Sequence, residues 1–224
     1  MFIDDPRRHT LRFNPWKALV VPRPIGWVST ISRDGVPNLA PFSYFNGVGD
    51  FPPMVMFAPI GPKPDGDAKD SYTNAVETQE FVVNIATREL AERMNLTSEH
   101  LPPAADEFAL AGLSAAPCRK VRAPRVAESP VSLECRLVTA LRLPTDAPPI
   151  QNNIVIGEVI GIHLDERILT DGLVDIAKYR PLARLGYFDY ACVEEGFAIA
   201  RPDLNPTEVA AELGALMNTT RARD

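Results

Sequence analysis

Hydrophobic and polar residues along this chain fall mostly into short β-type runs punctuated by turn residues. Gly26 to Ser32 and Pro37 to Ser43 flank Arg33-Asp34-Gly35. An Asp-Gly pair between two β-rich runs predicts a hairpin. Met54 to Ala58 and Phe81 to Ala86, rich in β-branched and aromatic residues, predict two further strands. Two longer runs follow, Val131 to Leu143 and Ile154 to Leu164. In the first, Val131, Leu133, Cys135, Leu137 and Thr139 alternate with Ser132, Glu134, Arg136 and Val138. That period of two predicts one buried face and one partly wet face. Leu185 to Val193, with Tyr187, Phe188 and Tyr190, is expected to form a last strand.

Helical patterns are fewer. Asp70 to Thr78 starts with Asp70 as the expected N-cap and puts Tyr72, Ala75 and Val76 on one side. Thr87 to Leu96 gathers Leu90, Ala91 and Met94 on a face. Asp106 to Ala111 predicts a short helical turn. Pro206 to Met217 predicts an amphipathic terminal helix, with proline near its first turn and Val209, Leu213 and Leu216 inward. Strands dominate and connections vary in length, which predicts a mainly β fold with helical additions, an antiparallel Greek-key barrel rather than alternating βαβ units. No Gly-x-Gly-x-x-Gly follows a strand, so a Rossmann nicotinamide domain is not supported. The expected organisation is an extension over residues 1–20, one domain over 21–202, and a helix and tail over 203–224.

Composition narrows the function classes. At 224 residues and 46% hydrophobic content, the chain is long and apolar enough to bury the core of one large domain. No apolar run approaches the ~20 residues a membrane helix needs. The first residues lack the apolar stretch of a signal peptide, which predicts a cytoplasmic protein. A net charge of -6 argues against nucleic-acid binding, which needs a basic face, but a few local donors can still hold an anionic cofactor. Cys118, Cys135 and Cys192 form neither metal-ligand spacing nor a disulfide framework. His9, His100 and His163 are scattered and no carboxylates pair at ligand spacing, so no metal site is expected. No Gly-x-Ser-x-Gly elbow and no Cys/His neighbours point to covalent catalysis. A missing acid–base set is consistent with chemistry carried by a bound cofactor.

Two stretches hold candidate ligand contacts. The hairpin carries Ser29, Thr30, Ser32, Asn38 and Ser43, small polar groups suited to phosphate and carbonyl oxygens. Spacing alone favours a half-buried hairpin with a polar outer face. At Lys69-Asp70-Ser71, a helix capped by Asp70 would aim the amides of Ser71 and Tyr72 outward. A phosphate could sit there, with Lys69 and the Ser71 hydroxyl as further ligands. An ordinary capped surface helix is the alternative.

Several segments, taken in order, resemble the flavin reductase-like family, the FMN-binding split barrels. They are Arg23-Pro-Ile-Gly-Trp-Val-Ser-Thr30, Asn38-Leu-Ala-Pro-Phe-Ser-Tyr-Phe45, Lys69-Asp-Ser-Tyr-Thr-Asn74, Glu80-Phe-Val-Val-Asn84 and Met94-Asn95. The likeness continues through Glu107 to Leu113, Glu128 to Cys135, Ile156-Gly-Glu-Val159 with His163, and Arg184-Leu-Gly186, and so spans residues 20 to 202. The resemblance implies noncovalent FMN. It places Ser29 and Thr30 near the ribityl phosphate, with Trp27 and Val28 closing the approach, and adds Lys69, Asp70 and Ser71 as phosphate contacts. Where the family often has threonine, this chain has Ser71, which keeps the hydroxyl. Asn38, Ala40, Pro41, Ser43 and Phe45 are implied neighbours of the flavin ring, with Ser43 near N5. Tyr44 and Phe45 point to opposite faces of a strand, so one of them is expected to meet the ring. Asn74 either bonds the flavin, fixes the phosphate loop, or serves as a plain structural amide. His163 is implied at the nicotinamide end, as a catalytic residue together with Ser43, with a satisfied or exposed histidine as the alternative. Arg184 is implied to approach the site from the barrel or a partner subunit, with a surface salt bridge as the alternative.

The implied activity is that of an NAD(P)H:flavin oxidoreductase, passing a hydride from NADH or NADPH to FMN. The implied assembly is a homodimer with flavin sites at its interface. Reduced flavin would serve a monooxygenase component, or electrons would pass to an acceptor such as ferric iron. Two alternatives remain. One is an FMN-binding protein without turnover, used for storage, sensing or partner interaction. The other is a split-barrel oxidoreductase of the pyridoxamine-phosphate oxidase type, which the hairpin and the Lys69-Asp70-Ser71 block resemble less.

Overall fold

A computed structural model of the chain describes residues 1–61, 63, 66–102, 105–197 and 199. Its strands are β1 (Arg23–Pro24), β2 (Gly26–Ile31), β3 (Pro37–Phe42), β4 (Phe45–Asp50), β5 (Pro53–Phe57), β6 (Glu80–Ile85), β7 (Ala115–Ala116) and β8 (Arg125–Val126). They continue with β9 (Val131–Leu143), β10 (Asn152–Leu164), β11 (Leu169–Thr170), β12 (Leu173–Val174), β13 (Leu182–Arg184) and β14 (Tyr190–Cys192). The helices are α1 (Trp16–Leu19), α2 (Asp70–Thr78), α3 (Ala91–Leu96), α4 (Glu107–Leu110) and α5 (Ile176–Tyr179). The predicted helix over Pro206 to Met217 lies outside the described residues.

The main sheet has seven antiparallel strands in the order β3-β2-β6-β9-β10-β5-β4. A second sheet, β1-β13-β14, runs beside it. The fold is therefore mainly β with helical additions, as predicted. The Asp-Gly turn closes the β2–β3 hairpin as expected: Gly35 takes a positive φ of 87° and its N–H donates to Ser32 O at 3.1 Å.

Strand β2 is buried on both faces, whereas β3 keeps Asn38, Ala40 and Pro41 only partly buried, so the hairpin is wetter on its outer strand. Trp27 and Leu39 enter one core with Ile25, Leu90, Met94 and Phe108. Val28 and Phe42 enter another with Phe57, Phe81, Val83 and Val155. Of the polar hairpin residues, Ser29 and Thr30 are internal, while Ser32, Asn38 and Ser43 stay partly exposed. The long pair β9–β10 has a register shift at Ile156/Gly157. Gly157 is required there, because a Cβ would meet the Phe81 ring at 2.4 Å.

Two other expectations change. Leu185 to Val193 is not one strand: Leu182–Arg184 and Tyr190–Cys192 pair across a turn. In that turn Asp189 N–H donates to Gly186 O at 2.9 Å and Tyr187 takes a positive φ of 54°. Phe45–Asp50 also forms a strand, one not among those predicted from the sequence. It survives as an edge strand paired only with β5, with a register shift between Gly47 and Gly49.

Candidate functional site

One long groove follows the outer side of β3 from the start of α2 to the β13–β14 turn. Three adjoining cavities make it up. A small one of about 60 Å³ is lined by Asn38, Ala40, Lys63, Lys69, Asp70, Ser71 and Glu107. It shares Ala40, Lys69, Thr97, Glu99 and His100 with a cavity of about 460 Å³ that adds Pro41, Ser43, Tyr44 and Lys17. That cavity in turn shares Pro41, Ser43, Tyr44 and Ser98 with one of about 1010 Å³ reaching Arg23, Arg184, Tyr187 and Tyr190.

The first end is built for an anion. Helix α2 begins at Asp70, with Lys69, not Asp70, at the N-cap position, and no side-chain oxygen caps it. Tyr72 N–H, expected to face outward, instead donates to Lys69 O at 2.9 Å, so the amides of Asp70 and Ser71 and the positive end of the dipole are what this start offers a ligand. Burial pushes the Lys69 ammonium below its ordinary value, against the opposing pull of Asp70. A half-buried cation at a helix start favours an anionic partner. Lys63 Nζ holds Asp70 Oδ1 at 3.0 Å, which offsets that carboxylate's repulsion of an anion.

Behind this end lies a polar network that locks α2 to the hairpin. Asn38 Nδ2 donates to Ser71 Oγ at 2.9 Å and to Thr30 Oγ1 at 3.3 Å. Asn74 Nδ2 donates to the same Thr30 oxygen at 3.1 Å. Asn38 and Ser71 face the cavity, while Thr30 and Asn74 are buried behind them. Below, the buried Glu107 accepts from Leu39 N–H at 3.2 Å, and burial raises its carboxyl above the ordinary range.

The far end is aromatic and cationic. Arg184 lies over the Tyr190 ring at 4.4 Å and donates to Tyr187 O. Arg23 donates to Lys17 O at 2.5 Å, Val20 O at 2.6 Å and Leu185 O at 2.9 Å, which pins α1 and the β13–β14 turn over the groove. Gly186 permits this closure, since a Cβ would meet Ala18 Cβ at 2.3 Å.

The structure thus brings Asn38, Ala40, Pro41, Ser43, Lys69, Asp70, Ser71 and Arg184 along one groove. Other expected contacts take supporting places. Ser29 is fully buried on the opposite face of β2 from Thr30, donating to Pro124 O at 2.5 Å and accepting from Asn84 Nδ2 at 3.1 Å. Strand alternation, not distance in sequence, separates it from the groove. Trp27 is a core residue whose Nε1 donates to Thr97 Oγ1 at 2.9 Å, and Val28 packs in the second core. Of the pair on opposite strand faces, Tyr44 lines the groove and Phe45 is buried in the core.

His163 lies outside this groove and is satisfied by Glu134, whose Oε1 is 2.5 Å from its Nε2. It lines a separate cavity of about 550 Å³, which shares no lining residue with the groove. It pairs with Ser132 of β9, which pairs with Asn84 of β6, which pairs with Trp27 of β2, which pairs with Pro41 of β3. Four strand spacings at ~4.8 Å put it about 19 Å from Pro41 along the sheet.

The sequence reading also missed one wall. Thr97, Ser98, Glu99 and His100 follow α3 and border the groove. The bond from Trp27 Nε1 to Thr97 Oγ1 helps fix this segment, and no local pattern joins two residues seventy positions apart.

Residues 18–183 match the flavin reductase like domain. An uncharacterized protein of Aquifex aeolicus is 44% identical over 169 residues, 75% of this chain and 83% of that protein. Nitrilotriacetate monooxygenase component B from Bacillus cereus superposes with a TM-score of 0.79 at 31% identity, covering 89% of this chain and 98% of the other. The Pseudomonas fluorescens 2-nitrobenzoate 2-nitroreductase NbaA gives a TM-score of 0.72 at 27% identity, covering 85% and 90%. By sequence and fold, the chain belongs to the flavin reductase-like family of split-barrel proteins.

Proposed function

We propose that the protein binds FMN in the groove and transfers a hydride to it from NADH or NADPH. The observation that carries this reading is the uncapped start of α2, with half-buried Lys69, opening into a groove whose two larger cavities hold about 460 and 1010 Å³. Lys69, Ser71, Asn38 and the first amides of α2 hold the phosphate, while Thr30 and Asn74 keep that end rigid from behind. Ala40, Pro41 and Ser43 flank the ring, with the Ser43 hydroxyl beside N5. Arg184, Tyr187 and Tyr190 border the space left for the nicotinamide.

Bound there, the flavin supplies the hydride-accepting chemistry. The chain supplies position, a dry ring pocket and one hydroxyl. Trp27, Val28, Ser29 and Phe45 act through packing that shapes the strand backbone. The proposed assembly is a homodimer, supported by exposed apolar side chains on the β9–β10 arm: Val138, Leu141, Leu143 and Ile150. The likeness to a monooxygenase component B supports delivery of reduced flavin to a separate oxygenase.

Anaerobic mixing of purified protein, FMN and NADH, then NADPH, tests the reading. The flavin visible band is expected to bleach at a protein-dependent rate with at least one donor. Tight FMN binding without bleaching by either donor would leave a flavin-binding protein without turnover.

A further inference from the structure

We propose that Cys118, Glu134 and His163 form a binding site for one zinc-like divalent cation, separate from the groove. Their donor atoms all lie within 4.8 Å of one another. They come from three places: the loop between β7 and β8, strand β9 and strand β10. Glu134 and His163 are diagonal neighbours on adjacent strands, since Glu134 pairs with Gly161 and Ser132 with His163. The β7–β8 loop folds over them and brings in the sulfur.

Two features mark this as a built site. The Glu134 carboxylate is 2% exposed and is held by backbone, accepting from Arg119 N–H at 2.9 Å and Lys120 N–H at 2.6 Å. Such outer contacts orient a ligating carboxylate. Its Oε1 also lies 2.5 Å from His163 Nε2. An ion would take the place of that hydrogen bond. With ligand bonds of ~2.0–2.3 Å, tetrahedral donors sit about 3.3–3.6 Å apart, within reach of small side-chain rotations. The cavity of about 550 Å³ beside them leaves a fourth position for water or a small ligand.

The donor set selects the ion. One sulfur, one imidazole and one carboxylate suit zinc, and magnesium or calcium would want more oxygen. Arg119, Lys120 and Arg125 border the same cavity, so a dication needs compensation. Thiolate and carboxylate together supply it, leaving the centre neutral. The same cations would invite an anion, but an anion would meet the Glu134 carboxylate. Binding would fasten the β7–β8 loop to the β9–β10 pair.

The test uses tag-free protein stripped with a chelator, then titrated with Zn²⁺ alone by calorimetry and with Co²⁺ by absorption. One ion per chain is expected, with a thiolate-to-cobalt charge-transfer band. Cys118→Ser should abolish that band. Cys118→Ser and His163→Gln should each weaken Zn²⁺ binding by more than about 100-fold, beyond the usual cost of losing an outer contact. At a hundred times Kd, Zn²⁺ should raise Tm by about 5–10 °C in wild type and not in the variants. Unchanged circular dichroism and FMN affinity show that the variants fold; if one does not, the other and the cobalt band decide. No Zn²⁺ binding, no thiolate band, or undiminished binding in both variants would overturn the site.

Discussion

In the groove, two short stretches, residues 38–44 and 69–71, supply the groups proposed to meet the flavin, and residues 97–100 and 184–190 complete the lining. In the Cys118–Glu134–His163 cavity, three donors come from segments separated by 16 and 29 positions (134 − 118 and 163 − 134). Both sites rest on the same sheet, and the strand that carries His163 lies four pairings from β3. The groove is a backbone device: a helix start and a strand flank present N–H groups, and small side chains keep out of the way. The cavity is a side-chain device that exists only once β9, β10 and the β7–β8 loop are packed. Sites of the first kind leave local motifs in a sequence, and sites of the second kind do not.

The comparison also implies that the two sites work independently, because no residue lines both. The largest expected effect is at the cavity. Cys118→Ser should cost more than about 100-fold in Zn²⁺ affinity while FMN affinity, read by flavin fluorescence, stays within about twofold. A matching fall in FMN affinity would join the two sites and break the contrast.

Next in size is the reverse experiment. Lys69→Ala should weaken FMN about 10- to 150-fold, the value of one charge-assisted contact at 1.5–3 kcal/mol. The Michaelis constant for FMN should rise with turnover at saturation nearly intact, and Zn²⁺ affinity should not change. Ser43→Ala should act on turnover instead, lowering it about 2- to 13-fold, as loss of one neutral hydrogen bond does, with little change in FMN affinity. If Ser43→Ala loses affinity alone, its hydroxyl only binds.

The smallest effect concerns pH. Burial lowers the pKa of Lys69 in the free protein, and a bound phosphate would raise it again. FMN binding then takes up protons, so affinity falls as pH rises toward the ordinary lysine value of 10.5. Below pH ~6 the phosphate itself gains a proton and affinity falls again. Riboflavin, lacking the phosphate, should follow neither trend in the same titration.

Much of this was legible before folding. The Asp-Gly turn, the run Val131–Leu143 and the helix Asp70–Thr78 each coincide with the observed element, because local chemistry decides them. The groove residues from Asn38 to Ser43 are reached through the family resemblance, since spacing alone favours a plain half-buried hairpin, and the Lys69–Ser71 block reads equally as an ordinary capped helix. The place of Ser29 was not legible, because strand alternation turns it toward Pro124 while Thr30 faces α2. Asp70 was read as a cap, yet the backbone places Lys69 there, and that shift leaves the amides open. Phe45–Asp50 was hidden by its glycines, since only pairing with β5 makes it a strand. The separation of His163 from the groove was not legible, because its neighbours are set by register across four strands. Thr97 and Glu134 likewise depend on partners distant in sequence.

The central claim is that the α2 start is a phosphate site for FMN, and paired fluorescence titrations with FMN and riboflavin test it most directly. Losing the phosphate contacts at Lys69 and Ser71 should cost at least about tenfold, so wild type should prefer FMN by that factor. Lys69→Ala should shrink the preference. Equal affinities for the two flavins in wild type would contradict the claim.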